Sequence, residues 1–213
     1  MTMTPPIPER HTAFFNLFDA LAENGCALCR LAAKAAHDSL DSLLYENVND
    51  PGTRQALSAS HGFCVAHAEL ATHMSDALGV AMLYETLCRE AANRVARELP
   101  MGATQPCPIC CAAADVNERY LAEFCLRIGE SDFHERFLAS DGFCLPHFQR
   151  VITMVHDKAT GGIVRAHEAK TLLALADQLH VFVKKHDYKR ESDFAAEGAS
   201  WLRALEKFVG KTK

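Results

Sequence analysis

The chain has little of what several broad function classes require. It has no basic excess: Lys plus Arg number 22 against 27 for Asp plus Glu, a formal net charge of −5. No global positive field therefore draws in phosphate, and dedicated nucleic-acid binding is not expected. Long apolar runs are also missing. The longest, such as Ala77–Leu83 and Leu172–Ala176, fall far short of the roughly 20 residues that span a bilayer, so no membrane role is expected. With 8 Pro and 11 Gly in 213 residues, collagen-like and linker-type sequence is excluded, and a hydrophobic content of 49% excludes a disordered chain. The stretch Met1–Pro6 has neither the basic start nor the apolar run of a signal peptide, which makes a cytoplasmic location the expectation. P-loop, dinucleotide fingerprint and nucleophile elbow are absent, and no stretch sustains period-two alternation.

What the chain does have is 9 cysteines and an internal duplication. Ala59-Ser-His-Gly-Phe-Cys-Val-Ala-His67 returns as Ala139-Ser-Asp-Gly-Phe-Cys-Leu-Pro-His147, and Cys26-Ala-Leu-Cys29 returns as Cys107-Pro-Ile-Cys110. Two nine-residue matches, each preceded by a C-x-x-C at nearly the same distance, mark a repeat of about 80 residues. The expected division is an extension at 1–20, a first copy at 21–102, a second at 103–186 and a tail at 187–213.

Each copy reads as helix, short helix, helix, and the expected class is all-α. Leu28, Leu31, Ala32, Ala35, Leu40, Leu43 and Leu44 recur at helical spacing. Asn47–Gly52 ends that helix, and Asp50 is placed to cap a short segment at 53–58. A long helix is expected from 65 to 99, with Gly79 as its weak point. The second copy predicts helices near 108–128, 131–139 and 145–186, the last interrupted at 160–162. A final helix at 193–209 would place Phe194, Trp201, Leu202, Leu205, Phe208 and Val209 on one stripe, with Trp201 anchored in the core.

The cysteine and histidine spacing points to metal ligation. A C-x-x-C puts two thiolates on one turn, and a C-x-x-H does the same for a thiolate and an imidazole. Two such arms make a closed tetrahedral set of three cysteines and one histidine. Within copies, the sets are Cys26, Cys29, Cys64 and His67, and then Cys107, Cys110, Cys144 and His147. Exchange of arms between the copies is the alternative. Zinc, two per chain, leads because the set matches a structural zinc site; iron–sulfur clusters on the same residues are the alternative. The plainer readings explain less. Buried apolar cysteines would not need the paired C-x-x-H, and a thioredoxin-like pair needs a βαβ setting. Cys88 and Cys125 read as small core residues, Cys111 as a spectator, and His167 and Glu168 as core or surface residues.

These motifs resemble those of an uncharacterised bacterial family, a domain of unknown function. Its members look like C-P-x-C-R-L, then L-L-Y-E-x-V-N-D-P and G-F-C-x-x-H, a second such copy, and a tail K-H-D-Y-R followed by S-W-x-x-A. Here those elements are Cys26–Leu31, Leu43–Pro51, Gly62–Cys64 with His67, Lys185–Lys189, and Ser200-Trp201 with Ala204; Ala27 and Lys189 depart from the pattern. The resemblance implies the duplicated metal architecture and implies no activity. Lys184–Lys213 carries 8 basic and 5 acidic side chains. Within it, His186, Asp187, Tyr188 and Trp201 form a candidate surface for a ligand or partner, the plainer reading being a helix end balanced by basic side chains. The expected role is a metal-binding module for an unidentified protein or small molecule, leaning away from an enzyme; the alternative is an iron–sulfur electron-transfer protein.

Overall fold

The computed structural model of the chain describes residues 9–74, 76–187 and 198–210, with 186 and 187 described by backbone alone. Among the described residues the fold is all-α, with ten helices: α1 Thr12–Ala20, α2 Ala27–Tyr45, α3 Pro51–Ala59, α4 Val65–His73, α5 Ala77–Ala96, α6 Pro108–Arg127, α7 Ser131–Leu138, α8 Leu145–Met154, α9 Lys158–Asp187 and α10 Ser200–Val209. They fall into two compact units that are not the two sequence copies. One unit takes the chain up to Leu31 together with the chain from Glu118 onward; the other takes Ala32–Asn117. Helices α2 and α6 therefore each begin in one unit and end in the other.

The first unit is built around aromatic rings. Phe14, Leu17 and Leu21 from α1 and its end, Leu28 and Leu31 from α2, and Leu121 and Phe124 from α6 share a core with Phe133, Phe137, Phe143, Val151 and Val164. Phe124 stands edge-on to Phe143 at 4.8 Å and to Phe137 at 5.1 Å, geometries that suit the quadrupoles of the rings. Beside them Arg127 is only 2% exposed, and Glu123 and Glu130 each pair with it at 2.8 Å. It also donates to the Glu9 carbonyl, which ties the start of the described chain to α6.

The second unit has an aliphatic core of Leu40, Leu43, Leu44, Leu57, Ala71, Leu83 and Ile109. As its spacing predicts, Asp50 caps α3, its side chain accepting from the Thr53 N–H at 2.7 Å, with Pro51 opening the helix. In both copies the long third helix is broken earlier than glycine positions suggest. Met74 and Val155 adopt extended backbone, and Asp76 and Asp157 restart the chain as α5 and α9. Asp76 accepts from the Gly79 N–H at 2.8 Å and Asp157 from the Thr160 N–H at 2.7 Å. An aspartate cap sets each break, and Gly79, Gly161 and Gly162 lie in the first turns after it.

Helix α10 turns the expected stripe outward. Trp201 and Leu202 are each 47% exposed, and Leu205, Phe208 and Val209 more so, which corrects the core role expected for Trp201. The polar side packs inward instead: Lys207 meets buried Glu168 at 2.7 Å and Arg203 donates to Gln178 at 2.7 Å. A buried carboxylate demands a cation, and that demand decides which side of α10 is covered. Residues 193–197, including Phe194, lie outside the described residues. Cys88 is exposed on α5, again contrary to the core role expected, whereas Cys125 is half-buried against the aromatic core.

Candidate metal centres

Each unit brings together one C-x-x-C and one C-x-x-H, and in each case the two arms come from different copies. Site I, in the first unit, gathers Cys26, Cys29, Cys144 and His147; site II, in the second, gathers Cys64, His67, Cys107 and Cys110. The within-copy grouping is thereby corrected to an exchange of arms. Helix length gives the reason. The 19 residues of α2 carry the chain ~28 Å away from Cys26, while the nine of α3 cover ~13 Å, so Cys64 arrives far down α2. Twenty-residue α5 then spans ~30 Å, and the loop after it is pinned where the Thr104 N–H meets the Ala59 carbonyl at 2.9 Å. That contact delivers Cys107 beside Cys64.

The same local device presents all eight donors. Cys26 and Cys107 sit just ahead of α2 and α6, with Cys29 and Cys110 in the first turns; Cys64 and Cys144 are the N-caps of α4 and α8, with His67 and His147 three residues on. Open N–H groups at helix starts favour thiolates there. In site I, Cys29 Sγ and Cys144 Sγ are 3.6 Å apart, and His147 Nδ1 lies 3.4, 3.3 and 3.2 Å from Cys26, Cys29 and Cys144. In site II, Cys64 Sγ and Cys110 Sγ are 3.6 Å apart, and His67 Nδ1 lies 3.2, 3.4 and 3.6 Å from Cys64, Cys110 and Cys107. A tetrahedron with bonds of ~2.3 Å to sulfur and ~2.0 Å to nitrogen has edges of ~3.5–3.8 Å, so each group fits one ion at its centre. None of the nine cysteines is in a disulfide.

The electrostatics of the two sites differ. In site I the sulfurs of Cys144 and Cys29, with His147, hold the Cys26 thiol far below its ordinary range, while Cys26 and Cys29 push Cys144 far above it. Burial would lower His147, yet the Cys26 and Cys29 sulfurs outweigh it and push the imidazole up to about 9. In site II burial lowers His67, and burial together with Cys64 and Cys107 pushes Cys110 up to about 12.

Sequence reasoning missed the groups that hold the ligand arms. Gly142 and Gly62 both take positive φ, 72° and 93°, turning the chain so that the next N–H points at a side chain from the following long helix. Phe143 N–H donates to Glu168 at 3.0 Å; Phe63 N–H donates to the Tyr84 hydroxyl at 3.1 Å. A Cβ on Gly142 would lie 2.6 Å from the Glu168 carboxylate, so the turn admits no side chain. Glu168 is 1% exposed, and burial raises its pKa against the opposing pull of Lys207 and the Phe143 N–H. Neighbouring His167 packs on Phe137 with centroids 4.7 Å apart and places Nε2 3.1 Å from the Ser140 carbonyl, on the same turn. Both are buried, which agrees with the core reading of the sequence; that they hold the turn was not read from it. Asp141, the position where the two nine-residue motifs carry different charges, accepts from the Gly25 N–H at 2.7 Å; the residue ahead of Cys107 is Pro106, which has no N–H to give. That mismatch was the available signal.

Helix α10 ends over site I. Gly210, buried and at φ 83°, lies so close that a Cβ there would be 3.4 Å from Cys29 Sγ and 3.5 Å from Cys144 Sγ. Of the candidate tail surface, Tyr188 lies outside the described residues, the backbone of His186 and Asp187 ends α9, and Trp201 is exposed on α10. No described helix is long and apolar enough to cross a membrane. No curated protein and no solved structure matches the chain. Residues 13–106 and 98–213 each match the model of DUF6062, a family of unknown function, and with both matches together spanning nearly its whole length, the chain belongs to that family.

Proposed function

We propose that this protein is a two-zinc helical binding module, in which each zinc ties an arm of one copy to an arm of the other. The observation that carries the reading is that the four donor atoms of each group all lie within 4.8 Å of one another, with the histidine nitrogen 3.2–3.6 Å from all three sulfurs, which suits four ligands on a single ion. An iron–sulfur cluster distributes its cysteines over several irons, which asks for donors spread more widely. Three thiolates and an imidazole in a tetrahedron also suit zinc by donor type and leave no open position for catalysis at the metal. A binding role is supported by the apolar side of α10, where Trp201, Leu202, Leu205 and Phe208 face solvent and offer a protein partner a hydrophobic contact. Cysteines without disulfides in both sets suit a reducing compartment, in keeping with a cytoplasmic location.

Metal and acid-labile sulfide analysis of anaerobically purified protein tests this directly. The expected result is two zinc per chain, no sulfide and a colourless solution, with loss of helicity under a strong chelator, because metal binding is folding energy. Brown protein with sulfide and iron would replace this reading with the electron-transfer one.

A further inference from the structure

Every exposed residue of α10 is apolar. Trp201 and Leu202 are 47% exposed, Leu205 57%, Phe208 62% and Val209 67%, while Arg203, Glu206 and Lys207 all lie on the half-buried side. Leu202, Leu205 and Val209 recur at spacings of three and four, the seam of a helix pair, and Trp201 and Phe208 flank it. At about 100 Å² of open surface for each side chain, the stripe presents about 500 Å², near the upper end of what a monomer leaves exposed. Its chemistry narrows the occupant. Helices that lie on a lipid surface aim Lys and Arg at the headgroups. Here Lys207 is turned in to Glu168 and Arg203 to Gln178. A charged peptide finds no counter-charge on the stripe. What the stripe does complement is itself.

We infer that α10 pairs this chain with a second copy of itself, the two helices antiparallel about a two-fold axis. The inference rests on the binding role given to α10 above and names the partner. The middle of Ser200–Val209 falls between Ala204 and Leu205. An antiparallel pair centred there sets Leu205 against its own counterpart, Leu202 against Phe208 and Trp201 against Val209, so that each ring meets a smaller side chain. A two-fold interface must be self-complementary, and a stripe without charge meets its copy with no like-charge repulsion. Two stripes together bury about 1,000 Å², the floor of a specific interface, which makes the pair weak and concentration-dependent. The inner side of α10 stays on Glu168 and over site I, so pairing asks for no rearrangement of the unit.

Trp201 is the single tryptophan of the chain, so its emission reports on the stripe. The experiment follows the full chain, its metal counted beforehand, by sedimentation velocity and tryptophan emission from about 1 to 100 µM. The expected result is a mass rising from 23.5 kDa toward twice that value, with a midpoint of about 10 µM and a blue shift of Trp201 emission over the same range. Leu205→Glu and Leu205→Lys should each weaken pairing at least about tenfold with helicity and metal content unchanged. An equimolar mixture of the two should regain the dimer, because a two-fold pair sets position 205 against itself. A monomer at 100 µM, a dimer untouched by Leu205→Glu, or a mixture that stays monomeric overturns the inference. So does a monomer that binds vesicles of phosphatidylglycerol and phosphatidylcholine. A monomer whose Trp201 is open to acrylamide quenching would overturn the second copy and leave the binding role to another partner. A monomer whose Trp201 is shielded would overturn both, the stripe then being covered within the chain.

Discussion

In site I the turn ahead of the second arm is held by a carboxylate, Glu168, whose charge is met by Lys207 from α10. In site II the same turn is held by the neutral hydroxyl of Tyr84. The donors are the same in kind and sit on the same local device, yet site I is bound into a buried ion pair and lies under Gly210, whereas Cys64, His67 and Cys110 of site II are all half-buried. Duplication copied the ligands, and their supports then diverged. What is common to both copies is what tetrahedral ligation demands, and what differs is how each unit packs around it.

The comparison breaks most forcefully at the two supporting side chains. Glu168→Ala leaves Lys207 with its charge buried and the Phe143 N–H without an acceptor, and unfolding by urea should register a loss of about 3–5 kcal/mol. Glu168→Gln keeps an acceptor and should lose less. Tyr84→Phe removes one neutral hydrogen bond and should lose about 1 kcal/mol. Equal losses at Glu168 and Tyr84 would mean that the two turns are supported alike.

Acidity should separate the sites next. His147 is pushed up to about 9, so below that pH its ring is protonated and a metal must displace the proton. His67 is lowered by burial, so its ring stays neutral through the same range. Between pH 9 and 7 this one proton should weaken metal binding at site I by about tenfold per pH unit relative to site II. Competition with a chelator at several pH values, read on variants that keep a single site, measures the two slopes; parallel slopes would contradict the difference in histidine environment.

The smallest effect concerns the turn that precedes Gly62. His61 occupies the left-handed region at φ 54°, one residue past the C-cap Ser60 of α3, where the His61 and Gly62 N–H groups bond back to the Ser58 and Leu57 carbonyls. Glycine is preferred at that place in such a cap. His61→Gly should therefore stabilise the second unit by about 0.5–1 kcal/mol in thermal unfolding without altering metal content. A loss of stability would assign the His61 side chain a contact of its own.

All eight donors are legible in the sequence, because tetrahedral ligation leaves a spacing, two residues between donors on each arm, that few other demands produce. The all-α class is legible for a similar reason: Leu28, Leu31, Leu40 and Leu44 repeat at helical period. The pairing of arms is not legible by motif, since the copies offer equivalent arms; it depends on the length of α2, which carries the chain away from Cys26. The caps at Asp76 and Asp157 are masked by nearby glycines, which draw the expected breaks to themselves. The orientation of α10 cannot be read from its own stripe. It depends on Glu168, a buried charge 39 positions before Lys207 in the chain.

Arm exchange is the central claim, and counting zinc in two double variants tests it most directly. Cys26→Ser with Cys144→Ser removes two ligands of site I and should leave one zinc per chain, in site II. Cys26→Ser with Cys64→Ser removes one ligand from each site and should leave none, since serine is a poor replacement for a soft thiolate. The opposite outcome, one zinc retained in the second variant and none in the first, would mean that each copy closes its own site and would contradict the account.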